Sequence, residues 1–183
     1  MKQISVFLSF VSLLSLHLSG CGYENTSATQ LVSVESNNEA IIGGQEFRGL
    51  PAVGALTRNG RAHCSGTLIE KRKVLTAAHC VDGVQASELA FVIGPSIAEA
   101  EYKIPAARLV AHPTFSMSSW DIVDDIAYVV LASDAPVEPM AVHKQMDNSY
   151  VGKTLLFVGY GVNDRYNKTG VGVKRAVRNE ISA

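Results

Sequence analysis

One histidine of this chain, His79, lies in a segment in which its side chain could accept and donate a proton. It lies in the segment VLTAAHC, from Val74 to Cys80, after an apolar run, with two alanines before it and a cysteine after it. Imidazole can take up and return a proton near neutrality because its ordinary pKa is about 6.5. The residue could be a structural histidine, a metal ligand, or a general base that serves a nucleophile.

A metal site would have to combine His63, Cys64, His79 and Cys80. The two histidine–cysteine pairs are adjacent in sequence, which is a poorer spacing for tetrahedral zinc than the usual gaps between ligands. We therefore expect no metal, and no other cofactor is indicated.

A histidine base needs an acidic partner that fixes its tautomer. Asp121, Asp124 and Asp125 compete for this role. Asp125 directly precedes the apolar run Ile126–Leu131, at the expected start of a strand. Of the three aspartates, we therefore expect only Asp125 to be buried in the core and ionised there. Asp121 and Asp124 are expected at the surface. Structural or surface positions are also expected for three histidines: His63, His112 and His143.

The first twenty residues have the pattern of a secretory signal peptide, with Lys2 near the start and an apolar run from Ile4 to Leu18. The run ends in LSGC, which resembles the lipobox of bacterial lipoproteins and implies a lipid on Cys21. The alternative is an ordinary signal peptide cut near Gly20. We expect residues 21–40 to form a lipid-anchored tether or propeptide, because they are polar and cannot bury a core.

Three cysteines in an exported chain leave one without a partner. If Cys21 carries lipid, Cys64 and Cys80 remain to form a disulfide in an oxidising compartment. The predicted location is the bacterial cell envelope, with secretion as the alternative.

Composition and patterning favour one globular all-β domain. The chain has 183 residues, a net charge of −1 and 47% hydrophobic residues, without the basic block that a nucleic-acid partner would require. From Ile41 onward, short β-type runs alternate with turn signals, which predicts a barrel or a sandwich.

Four segments in order resemble the trypsin-like (chymotrypsin-fold) serine peptidases. They are IIGG at 41–44, HCSGTLI at 63–69, VLTAAHC, and DDIAYVVL at 124–131. The resemblance implies a double β-barrel within residues 41–183, with a complete first barrel (about 41–140) and an incomplete second one (about 141–183).

The resemblance also implies roles. His79 and Asp125, 46 residues apart, would be catalytic; Cys64 would be the first disulfide cysteine; and Ile41 would be the new N-terminus after activation. Because Ala40 precedes Ile41, the activating protease should prefer small residues. Substrates would be proteins or peptides.

The family's nucleophilic serine is expected about 90 residues after the aspartate, beyond Ala183. No serine after Asp125 lies in a Gly-Asp-Ser-Gly-Gly context. We therefore expect a peptidase sequence that is cut short and inactive by itself. The alternative function is a non-catalytic, protease-like binding module of the cell envelope.

Overall fold

The computed structural model describes residues 44–144, 147–164, 166–167 and 169–181. The expected signal peptide, Cys21, the tether, Ala40 and Ile41 lie outside the described residues. The strands are β1 (Gln45–Glu46), β2 (Val53–Arg58), β3 (Arg61–Glu70), β4 (Lys73–Thr76), β5 (Leu89–Ile93), β6 (Tyr102–Ala111), β7 (Ser116–Met117), β8 (Ile122–Val123), β9 (Ala127–Leu131), β10 (Thr154–Gly159) and β11 (Arg175–Glu180).

Six antiparallel strands close into a barrel in the order β2-β3-β4-β9-β6-β5. Closure leaves no free edge, so each strand pairs on both sides. The alternating side chains point into one core, whose fully buried members include Leu56, Leu68, Val74, Phe91 and Leu131. Burying such side chains is the main favourable term in forming the barrel.

A glycine permits a close approach between two strands of this barrel. A Cβ added at Gly54 on β2 would lie 2.5 Å from the Phe91 ring and 2.6 Å from the Val92 carbonyl oxygen. Only a residue without a side chain lets β2 and β5 meet at this point.

A second, three-stranded sheet follows in the order β1-β11-β10. Tyr160, directly after β10, joins it to the barrel: its backbone N–H donates to Ser65 Oγ at 2.9 Å, and its hydroxyl donates to the Gly94 carbonyl. Lys174, almost fully buried, donates to the carbonyls of Gly49 and Leu50.

The expected all-β fold, with a closed barrel followed by part of a second, is confirmed. The helical segments within the described residues are short 3₁₀ turns: Ala78–Cys80, Ala86–Glu88 and Asn148–Tyr150. None of the helices that the structure describes is long and apolar enough to span a bilayer.

Candidate active site

The strand β4 and a short 3₁₀ turn together place His79. The strand ends at Thr76, Ala77 is extended, and the turn runs from Ala78 to Cys80. Ala78 is completely buried, so a small residue is needed where the chain packs against the barrel. Thr76 Oγ1 also donates to the Ser65 carbonyl at 2.9 Å, which ties the end of β4 to β3.

The predicted disulfide joins Cys64 on β3 to Cys80 on this turn, with 6.2 Å between the Cα atoms. His63 adds a second tie, because its Nε2 lies 2.9 Å from the Cys80 carbonyl oxygen. Ligand atoms of Cys64, His79 and Cys80 lie within 4.8 Å of one another. The two sulfurs are bonded to each other, however, and zinc requires thiolates.

His79 and Asp125 are brought together at one end of the antiparallel pairing between β4 and β9, where Thr76, the last residue of β4, pairs with Ala127, the first residue of β9. Asp125 Oδ2 lies 2.7 Å from His79 Nδ1, and Oδ1 accepts the His79 backbone N–H at 2.8 Å. Both oxygens of one carboxylate therefore hold the same residue, one by its ring and one by its backbone. This double attachment fixes the ring's direction as well as its distance.

The hydrogen bonds to His79 lower the pKa of Asp125. The largest contribution comes from the His79 backbone N–H and the next from its side chain. The carboxylate is therefore ionised at neutral pH, and it favours the tautomer in which Nδ1 carries the proton. Nε2 is then the basic nitrogen; it lies 3.4 Å from Cys80 Sγ.

The expectation that Asp125 is buried is wrong. Its side chain is 25% exposed, and that of His79 is 47% exposed. The cause lies in the register: β9 begins at Ala127, so Asp125 precedes the strand and lies in the turn that leads into it. The first fully core-facing residue of this segment is therefore Ala127.

The other acidic and histidine candidates lie at or near the surface. Asp121 is exposed, and Asp124 is 44% exposed. Sequence reasoning missed that Asp124 accepts a hydrogen bond from Thr114 and lies 3.6 Å from His112. His112, expected at a structural or surface position, is 42% exposed. His143 contacts the hydroxyl of Tyr150.

The sequence and the fold are both similar to those of known proteins. The family profile described as Trypsin matches residues 41–180. The chain belongs to the trypsin family. Trypsin V-A of Rattus norvegicus is 31% identical over 102 residues, which are 55% of this chain and 41% of that protein. Serine protease SP24D of Anopheles gambiae is 28% identical over 161 residues, which are 85% and 59% of the two chains.

Two solved structures share the fold. Neuropsin, a serine protease of mouse brain, superposes with a TM-score of 0.66 at 23% identity, covering 76% of this chain and 64% of that one. The Vibrio cholerae protease VesB gives a TM-score of 0.62 at 24% identity, covering 77% and 44%. This trypsin-family chain spans about half the length of the curated relatives it matches.

Proposed function

We propose that this trypsin-family chain supplies the base and the acid of a serine endopeptidase. The observation that carries the proposal is the 2.7 Å contact between His79 Nδ1 and Asp125 Oδ2, supported by the 2.8 Å bond from the His79 backbone. A binding-only protein has no chemical need for an ionised carboxylate that fixes one tautomer of a half-exposed histidine. The substrates would be proteins or peptides, and no cofactor is required.

In this mechanism Nε2 of His79 takes the proton of a serine hydroxyl while the oxygen attacks the scissile carbonyl. The imidazolium that forms is stabilised by the Asp125 carboxylate, which remains ionised. Nε2 then returns its proton to the leaving amine, and a water molecule repeats the cycle on the acyl-enzyme. In the neutral ring, Asp125 would hold the proton on Nδ1 and leave Nε2 free to accept the proton of the serine.

The nucleophile would be contributed by residues beyond those given. The 183 residues contain no Gly-Asp-Ser-Gly-Gly segment, so the chain by itself should not hydrolyse peptides. The test begins with the reading frame downstream of codon 183, where such a segment is expected about 90 residues after Asp125. A stop codon there would favour the binding-module alternative.

The extended chain is then assayed on peptide and ester substrates, together with His79→Ala and the 183-residue form. We expect activity only in the extended chain with His79 present. Hydrolysis by the 183-residue form that is abolished by His79→Ala would contradict the assignment of the nucleophile to residues outside it.

Processing of the N-terminal region forms a second part of the proposal. Cleavage after Ala40 would free the α-amino group of Ile41, and Cys21 would carry lipid that anchors the chain in the bacterial envelope. The Cys64–Cys80 disulfide supports export, because such bonds persist in oxidising compartments. Mass spectrometry of chain purified from membranes should show acylated Cys21 before activation; an unmodified N-terminus near Gly20 would contradict anchoring.

A further inference from the structure

Asp124, the residue before the candidate acid, adopts a left-handed backbone conformation. Its φ is +51°, and the other non-glycine residues with positive φ among those described are Leu50 and Asn59. Aspartate and asparagine enter this region more readily than other side chains, but they still need support from their surroundings. The support for Asp124 comes from the loop that precedes it.

A chain of hydrogen bonds holds the Asp124 side chain. The hydroxyl of Thr114 donates to Asp124 Oδ2, and His112 Nδ1 lies 2.9 Å from the same hydroxyl oxygen. The Thr114 backbone N–H donates to the same Nδ1 at 3.5 Å, so the His112 ring contacts both the hydroxyl and the backbone of Thr114. The hydroxyl of Thr114 thus lies between His112 and Asp124.

The backbone around Asp125 is held from both sides. The Ile126 N–H donates to the Asp124 carbonyl at 2.7 Å, which closes a three-residue turn with Asp125 at its centre. The His112 N–H donates to the Ile126 carbonyl at 2.9 Å. The direction of the Asp125 side chain thus depends on the φ of Asp124 and on the two bonds that flank it.

We propose that Asp124, Thr114 and His112 are positioning residues that aim the Asp125 carboxylate at His79. The inference rests on the proposed function, because it concerns the same pair. If the side-chain tie of Asp124 is lost, the left-handed residue can relax, and the peptide before Asp125 rotates. A shift of about 1 Å at the carboxylate is enough to break a 2.7 Å contact with Nδ1.

The measurement is the tautomer of His79 in the 183-residue chain. Long-range ¹H–¹⁵N spectra report it without a nucleophile or a substrate, in a pH series that identifies the neutral form of the ring, and at a concentration below self-association. The variants are Asp124→Ala, Asp124→Asn, Thr114→Val and Thr114→Ser. Asn59→Ala is the matched control, because Asn59 also has a φ of +50° but lies in the turn between β2 and β3.

We expect the Nδ1–H tautomer in the wild type, and in Asp124→Asn and Thr114→Ser, which keep the acceptor and the hydroxyl. In Asp124→Ala and Thr114→Val the Nε2–H fraction should rise about fivefold, since Nδ1–H loses a well-placed acceptor. Asn59→Ala should lose stability without changing the tautomer. Thr114→Val removes one hydroxyl and keeps the side-chain shape, so it tests the positioning role even if Asp124→Ala does not fold.

The same spectra separate this inference from the proposed function. Asp125→Asn must change the His79 tautomer if the pair exists at all, and an unchanged spectrum would overturn both. If Asp125→Asn changes the tautomer while Thr114→Val and Asp124→Ala leave it as in the wild type, the pair stands and the positioning role is wrong. An equal change in Asn59→Ala would also overturn the inference, because general loosening of the barrel would then explain the effect.

Discussion

The residue that distinguishes this site is Asp125, because its two oxygens hold the backbone and the ring of one histidine. A carboxamide at this position could still accept one hydrogen bond, but it has no charge to stabilise an imidazolium. It can also donate to Nδ1, which would force the wrong tautomer. The charge and the acceptor geometry are therefore both required.

In the extended, serine-containing chain we predict that His79→Ala and Asp125→Asn each lower kcat by about 10⁴-fold, with KM little changed. The measurement is steady-state hydrolysis of a peptide substrate. Asp124→Asn is the matched control, since it retains the acceptor for Thr114, and it should stay within about threefold of the wild type. If Asp124→Asn were the more damaging change, the acid would have been assigned one residue out of register.

The lowered pKa of Asp125 predicts how stability depends on pH. A carboxyl group whose folded pKa lies below its ordinary value of 3.8 stabilises the fold above that value, and the contribution disappears as the pH falls through the folded pKa. We expect the difference in unfolding free energy between the wild type and Asp125→Asn to shrink progressively as the pH falls below about 5. Urea unfolding at several pH values measures it, and a constant difference would show that the Asp125 charge contributes nothing.

At the residue scale, the pair could be predicted because His79 lies in a distinctive motif and Asp125 precedes an apolar run. The degree of burial of Asp125 could not be predicted, because the apolar run after it does not show at which residue the strand begins. The role of Thr114 beside Asp124 could not be predicted from the sequence either. It depends on a positive φ, which an Asp-Asp pair in sequence does not reveal.

At the scale of the strands, the barrel depends on how closely β2 and β5 approach one another. Gly54 permits this approach, whereas Gly161, after β10, has open space where a side chain would be. We predict that Gly54→Ala lowers the unfolding free energy by about 1–3 kcal/mol through overpacking. Gly161→Ala, the matched control, should change it by less than about 0.5 kcal/mol. Thermal unfolding compares them, and equal effects would contradict the close-approach argument.

The disulfide connects β3 to the turn that carries His79. Its cysteines are 16 residues apart, and a loop of this size stabilises the fold by about 3 kcal/mol in the chain-entropy model. We predict that the double variant Cys64→Ala, Cys80→Ala loses about that much in urea unfolding. Adding reductant should destabilise the wild type and leave the double variant unchanged. If reductant had no effect on the wild type, the bond would not contribute to stability in solution.

The strands themselves were largely predictable, because short apolar runs such as LAFVI become strands; this one is β5, which is buried along its whole length. The ends of the strands were harder to predict. The run KVLTAA forms a strand only as far as Thr76, and the packing of Ala78 in the core favours a 3₁₀ turn after it. The short hairpin of β7 and β8 was not predicted. It pairs only two residues on each side, too few to produce a periodic pattern.

At the scale of the whole molecule, the described residues comprise one closed barrel, the short β7–β8 hairpin and one open three-stranded sheet. In that sheet β10 pairs with β11 on one side. Leu155 and Phe157 on β10 are 36% and 42% exposed. An edge strand with apolar side chains is a template for pairing with another chain. Among the described residues, the barrel therefore has no free strand edge, whereas one edge of β10 has no pairing partner.

We predict that the 183-residue chain self-associates through β10. Size-exclusion chromatography with light scattering at increasing concentration should show oligomers, because pairing two such edges satisfies backbone groups and buries Phe157. The double variant Leu155→Lys, Phe157→Lys should shift the chain towards monomer, since charged side chains oppose edge pairing. Tyr102→Lys is the matched control: Tyr102 is 45% exposed, but it lies on β6, whose edges are already paired within the closed barrel. If the wild type stays monomeric throughout, or if the Tyr102 variant abolishes association as completely as the β10 variant does, the open edge is not the surface that brings the chains together.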